Sequence, residues 1–176
     1  MPETVCAPRL QLIELSSEQL EKCLTNIEAL EAELGFSISR SNIDSNVIRA
    51  IGMKQVKMAC ANPIDLPWLT YWLIVLNQPR FGAGMVGFKG APDSNGRVEV
   101  GYGIDETHRN RGYVSEAVGT LISWAFRHPA CKAVTATAVT NPASEKVLQK
   151  AGFNIVSRDG GTSSWECLKK DWQGDG

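Results

Sequence analysis

The 176-residue chain has no excess of either charge, no long apolar run and no closely spaced cysteine pair, and each absence removes a class of protein. Eighteen basic side chains stand against nineteen acidic ones, for a net charge of −1. No general field draws the chain to nucleic acid or to an anionic membrane, so its partners are met locally, at a cleft. No apolar run approaches the roughly eighteen residues of a transmembrane helix. Met1-Pro2-Glu3-Thr4 lacks the basic and apolar regions of a signal peptide, which predicts a soluble, unprocessed protein. The cysteines Cys6, Cys23, Cys60, Cys131 and Cys167 are odd in number and widely spaced. Neither a disulfide framework nor a zinc ribbon is expected from them, and a reducing, cytoplasmic setting fits. His108 and His128 lack a partner at metal-ligand spacing, so no metal is expected. Repeats, low-complexity tracts and linkers are absent too, which predicts one domain over 1–176 with its core over about 9–170.

What is present centres on Glu99-Val100-Gly101-Tyr102-Gly103-Ile104, which reads as a strand, followed by His108-Arg109-Asn110-Arg111-Gly112-Tyr113-Val114 as a turn. From Val114 the apolar residues Ala117, Val118, Leu121, Ile122, Ala125 and Phe126 fall on one helical face, and His128-Pro129 ends the helix. Free N–H groups, the positive end of the helix dipole, Arg109 and Arg111 converge where that helix begins, which is a site for a polyanion.

Along the rest of the chain, Leu10 to Leu15 reads as a strand, and Ser16 with Gln19 offers a capping box. The helix it opens is expected to run through Leu20, Cys23, Leu24, Ile27, Leu30 and Leu34 to a stop at Gly35. Residues 37 to 44 read as loop, Val47 to Val56 as a second helix, and Leu66-Pro67-Trp68 as loop. Thr70–Leu76, Gly84–Phe88 and Arg97–Ile104 form an antiparallel meander turned at Asn77–Arg80 and at Asp93-Ser94-Asn95-Gly96. Lys132–Val139 is a strand, Asn141-Pro142 opens a helix stopped by Gly152, and Phe153–Ser157 and Trp165–Leu168 close the chain as strands. Trp68, Tyr71 and Trp72 either pack in the core or line an acceptor pocket.

These residues resemble the GNAT superfamily of acyl-coenzyme-A-dependent N-acetyltransferases, in the branch with the ribosomal-protein N-terminal acetyltransferases. The specific part is Glu99 to Phe153: a strand, then a pyrophosphate loop of Arg or Gln, two residues, Gly, one residue, then Gly or Ala, here Arg109-Asn110-Arg111-Gly112-Tyr113-Val114. Val114 departs from the small final residue. The second motif runs from Asn141-Pro142-Ala143-Ser144 to Lys150-Ala151-Gly152-Phe153. The resemblance implies an α/β (α+β), three-layer fold whose mostly antiparallel mixed sheet is splayed between strands near 98–104 and 132–139. It also implies acetyl-CoA as cosubstrate and an amine, a protein N-terminus or a small molecule, as acceptor.

On that basis the cofactor-binding candidates are Tyr102, Gly103, Ile104, Arg109, Asn110, Arg111, Gly112, Tyr113, Val114, Ser115, Asn141 and Ser144. Backbone N–H groups over 111–114 suit the pyrophosphate, and the pantetheine arm pairs with the strand ending at Ile104. Gly101 and Gly103 mark a bulge that opens the slot or allow close packing. Glu99 is the candidate general base, or else a strand carboxylate paired with a neighbouring cation. A backbone N–H near Tyr102 to Ile104 meets the oxyanion. Relatives place a tyrosine acid seven residues after the motif asparagine, where this chain has Leu148. Ser144, Tyr102 or Tyr113 takes its place at the thiolate, and Asn141 caps its helix, holds the cofactor, or both. No paired Cys–His or Ser–His nucleophile is present, so transfer is direct. The alternative is a non-catalytic acyl-CoA-binding sensor or complex subunit. A homodimer is open but not demanded.

Overall fold

The computed structural model describes residues 2–174; Met1, Asp175 and Gly176, and with them the ends of the expected domain, lie outside the described residues. The chain runs β1 (Thr4–Cys6), β2 (Leu10–Glu14), α1 (Ser17–Thr25), α2 (Ile27–Leu34), β3 (Ser37–Ile38), α3 (Ser45–Ala59) and α4 (Leu66–Leu69). It continues through β4 (Tyr71–Asn77), β5 (Arg80–Phe88), β6 (Arg97–Ile104), α5 (Tyr113–Phe126), β7 (Ala133–Val139), α6 (Pro142–Lys150), β8 (Asn154–Asp159) and β9 (Thr162–Leu168). One nine-stranded sheet is ordered β1-β2-β4-β5-β6-β7-β9-β8, with β3 beside the start of β5. Among the described residues, only the β3–β5 and β6–β7 pairs are parallel.

Two apolar clusters, one on each face, make three layers. Leu10, Leu12, Trp72, Ile74, Val86, Phe88, Val98 and Val100 pack with Ala117, Val118, Leu121, Ile122 and Ala125 of α5. On the other side Leu73, Val75 and Met85 meet Leu20, Cys23, Leu30 and Ile51 of α1 to α3. Strand side chains alternate between faces, which is why neighbours in β4 belong to different clusters. Trp68 and Trp72 are buried core residues against Trp124, while Tyr71 lies on the opposite side under Lys54.

The capping box is formed, Ser16 Oγ accepting from Gln19 N and Gln19 Oε1 from Ser16 N. The expected single helix is instead two. Asn26 leaves helical geometry (φ −158°) and its side chain accepts from Ala29 N at 3.2 Å, capping a new helix. Residues 37 and 38 are a short strand rather than loop, and 66–69 a single helical turn. β5 begins at Arg80, four residues before the expected Gly84.

The feature that matters for function lies between β6 and β7. Their parallel pairing covers only Arg97–Glu99 against Ala133–Thr135, and beyond it the strands part. The bulge does not lie at Gly101 and Gly103: β6 pairs with β5 in unbroken register from Val100 to Ile104. It lies in β7, where the register with β9 shifts between Ala136 and Val139 and Ala138 adopts φ +52°. β7 is thereby bent away from β6.

Candidate functional site

The direction of the β6 backbone groups decides what the gap offers. Glu99 O accepts from Lys89 N on the β5 side (2.9 Å), whereas Val98 O accepts from Thr135 Oγ1 on the β7 side (3.2 Å). Alternation therefore turns the N–H and C=O groups of Tyr102 and Ile104 toward the space β7 has vacated. They form a strand edge inside the molecule, open to an extended, amide-bearing chain.

At the end of β6 this edge runs into the turn 105–112 and the start of α5. Asn110 (φ +60°) and Gly112 (φ +79°) are left-handed, and Gly112 is the N-cap without any side-chain cap. The first intrahelical bond is Glu116 N to Gly112 O, so Tyr113, Val114 and Ser115 present uncapped N–H groups. Between this helix end, β6 and α6 lies a cleft of about 570 Å³. Its walls include Tyr102, Gly103, Ile104, Arg109, Asn110, Gly112, Tyr113, Val114, Ser115, Asn141 and Ser144, all but one of the residues expected at a cofactor. The exception is Arg111, whose exposed side chain does not line the cleft.

Five wall residues lie outside the expected set: His108, Ala143, Lys146, Val147 and Lys150. Lys146 and Lys150 stand with Ala143 and Val147 on one face of α6, an i, i+3, i+4, i+7 set legible as a cleft wall only once α6 is known to face the gap. His108 is the fifth, stacked on Phe81 with centroids 5.2 Å apart and its Nδ1 3.3 Å from Asp105 Oδ1. Asp105 also accepts from Ser39, Ser41 and Thr107, and the bonds from Ser39 foremost, then Thr107, hold its carboxyl far below the usual range. It ties the segment after β3 to the turn before α5. Among the wall residues are three cations, Arg109, Lys146 and Lys150, and no carboxylate.

The catalytic candidates separate. Tyr102 points its hydroxyl at Ser144 O, 3.4 Å away; burial raises its pKa, and the Ser144 side chain pulls the other way. Tyr102 and Ser144 share the cleft. Glu99 does not line it and falls on the other side of β6 by strand alternation, at the last paired position before the strands part. Its Oε1 accepts from Lys89 Nζ (2.8 Å) and Thr137 Oγ1 (2.7 Å). Burial pushes its pKa up, but the bonds from Lys89 and Thr137 outweigh it and the net shift is downward. Asn141 caps α6, accepting from Ala143 N at 2.8 Å, and borders the cleft as well. Leu148 is fully buried.

Comparison with known proteins agrees with this geometry. Residues 53–154, more than half of the chain, match the family model of the acetyltransferase (GNAT) domain. The uncharacterized N-acetyltransferase YjdG of Bacillus subtilis (strain 168) is 35% identical over 100 residues, 56% of this chain and 60% of that protein. YoaA from the same organism is 32% identical over 83 residues, 47% of each. The matched region thus spans about half of these relatives. A ribosomal L7/L12 α-N-protein acetyltransferase, RimL, solved with coenzyme A, superposes with a TM-score of 0.62 at 16% identity, over 94% of this chain and 98% of that one. A structure of a Vibrio cholerae protein described as a putative ribosomal-protein-serine acetyltransferase gives 0.62 at 15% identity, over 94% and 97%. At such identities the likeness is one of fold. With the family model covering both the parted strands and the cleft, the chain belongs to the GNAT acetyltransferase family.

Proposed function

We propose that the protein transfers an acetyl group from acetyl-CoA to a primary amine by direct attack. The observation that carries this reading is the cleft at the start of α5, with uncapped N–H groups, three cations and no carboxylate along its walls. That donor set fits a pyrophosphate: the amides accept close approach at Gly112, and the cations add charge that a helix end alone, at about 0.3–2 kcal/mol, does not supply. Acetyl-CoA supplies the activated acetyl thioester. The Tyr102 and Ile104 amides hold the arm that carries it as an added strand, and an N–H of the same edge donates to the oxygen on which negative charge develops.

Tyr102, kept protonated by burial, gives its proton to the departing sulfur, with Ser144 beside it. Glu99 receives the amine proton, directly or through water, from the far side of the gap. The Lys89 ammonium marks where a cationic acceptor sits on that carboxylate, and at 63% exposure Lys89 is readily displaced. For a lysine-like amine of pKa about 10.4, reaching the neutral form at pH 7 costs roughly 4–5 kcal/mol, which Glu99 and desolvation offset. A protein N-terminus, with pKa about 7.7–8.0, costs much less. The similarity to RimL, named for acetylating a ribosomal protein N-terminus, supports including peptide N-termini among the acceptors. Five free cysteines accord with a cytoplasmic setting, and every residue invoked comes from one chain, so the reading needs no homodimer.

The test is coenzyme A release from acetyl-CoA, followed with a thiol reagent and mass spectrometry, against amines, polyamines, aminoglycosides, amino acids and peptide N-termini. An acceptor-dependent rate with an acetylated product is expected. Tight acetyl-CoA binding without turnover on any acceptor would favour a sensor, and absence of binding would overturn the cleft assignment.

A further inference from the structure

The turn 109–112 carries two left-handed residues and ends in an uncapped helix, yet its amides are useful only if held in one arrangement. What holds them comes from near the N-terminus, about a hundred residues earlier in the chain. Arg9, just before β2, donates from Nη1 to Arg111 O at 2.9 Å, from Nε to Glu116 Oε2 at 2.7 Å and from its backbone N to Glu116 Oε1 at 2.8 Å. Its guanidinium lies over the Tyr113 ring, 4.6 Å from the centroid. The Arg9 carbonyl accepts from Asn77 N at 3.0 Å, so the side chain starts from a backbone fixed to the β4–β5 turn. Glu116 is only 14% exposed, which separates this contact from an ordinary surface pair. Arg9 does not line the cleft.

We infer that Arg9 is a positioning residue for the diphosphate of the acyl donor: it fixes the 109–115 turn from behind and neutralises Glu116, whose carboxylate otherwise stands within one turn of the anion-binding amides. Both effects follow from the fork geometry of arginine, whose separate N–H groups reach a carbonyl and a carboxylate at once. A lysine keeps the charge and loses the fork. The inference rests on the reading of the cleft as a coenzyme A site, and it assigns binding of the diphosphate to a residue that never touches it.

The experiment measures dissociation constants by calorimetry for coenzyme A, 3′-dephospho-coenzyme A and pantetheine, with wild type, Arg9→Met, Arg9→Lys and Arg9→Met/Glu116→Gln, each checked for folding by circular dichroism. Arg9→Met should weaken both diphosphate ligands by about tenfold or more, the worth of one charge-assisted hydrogen bond, and leave pantetheine unchanged. Arg9→Lys should fall between, and Glu116→Gln should recover part of the loss by removing the unneutralised carboxylate. A merely structural role would weaken all three ligands alike, and that result overturns the inference, as does retained diphosphate affinity in folded Arg9→Met. If Arg9→Met fails to fold, Arg9→Lys carries the same comparison. Wild-type protein that binds pantetheine as well as coenzyme A would instead refute the cleft reading itself.

Discussion

Replacing Tyr102 by phenylalanine removes one oxygen from the cleft and little else. The ring remains packed against the α5 cluster, the backbone amide that faces the gap is untouched, and the only bond lost is a long one, 3.4 Å to Ser144 O. At that length the bond contributes well under the about 1 kcal/mol of a good hydrogen bond, so stability should barely change. Affinity for acetyl-CoA should hold too, since phosphates and arm meet other groups. The loss falls on the proton delivered to the departing sulfur. Burial keeps the phenol protonated beyond its ordinary 10.0, so it is a donor throughout the working pH range. Removing a positioned general acid costs about a hundredfold to ten-thousandfold in rate. The assay is steady-state coenzyme A release with the best acceptor found, giving kcat and KM for acetyl-CoA separately, with Tyr113→Phe as comparison. A fall in kcat at constant KM, confined to Tyr102→Phe, is expected. A kcat within about threefold of wild type refutes the assignment, and a fall in Tyr113→Phe alone moves the role to that residue.

Glu99 and Lys89 give a prediction in pH. The bond from Lys89 helps hold the Glu99 pKa below its ordinary value, so Lys89→Met should move the acid limb of kcat/KM to higher pH while the value at pH 8 changes little; an unmoved limb argues that Glu99 is not the base. Lys54, buried on α3 and donating to Phe88 O at 2.7 Å, has its pKa pushed down from 10.5 to about 8 by burial, with Lys57 and Lys89 adding to it. Below pH 8 the folded chain carries the cost of that charge, about 3 kcal/mol at 1.36 kcal/mol per pKa unit, and stability from this group rises between about pH 8 and 10.5 as the unfolded chain holds the extra proton. Lys54→Met should therefore be more stable than wild type in urea at pH 7, by less than that figure because carbonyl bonds are lost, and the gap should narrow by pH 9.5. Gly112→Ala forces a side chain into φ +79°, with the new Cβ 3.2 Å from Arg9 Nη2, and should cost about 1–2 kcal/mol. Gly101→Ala meets nothing within 4 Å and should stay within about 0.5 kcal/mol by the same denaturant measurement.

Where local pattern and tertiary role coincide, the residues announced the structure. The α5 face from Ala117 to Phe126 is periodic and followed by a proline, and it forms as expected between Tyr113 and Phe126. The Ser16 cap, the Asp93–Gly96 turn and the Asn141-Pro142 start are short-range signals, and all are formed. The break at Asn26 is invisible to periodicity because Leu24 and Ile27 keep the apolar face continuous across it. The bulge misled in another way: glycines in β6 suggested it, but Gly103 is close to Asn42, and the left-handed residue is Ala138, a type that gives no warning. At the site, the loop and strand residues were readable since one stretch supplies them. Lys146 and Lys150 carry no local signal of a cleft wall, which depends on α6 facing the gap, and Arg9 lies 102 residues from the carbonyl it holds.

Where the acyl donor binds is read directly by backbone amide chemical shifts. Titrating labelled protein with coenzyme A should move the amides of Tyr113, Val114 and Ser115 most, with those of Tyr102 and Ile104 on the open edge of β6. Shifts at 113–115 that are lost with pantetheine, while those at 102 and 104 persist, would match the diphosphate at the helix end and the arm on the strand. Saturable binding that leaves both sets unmoved would contradict the account at its centre.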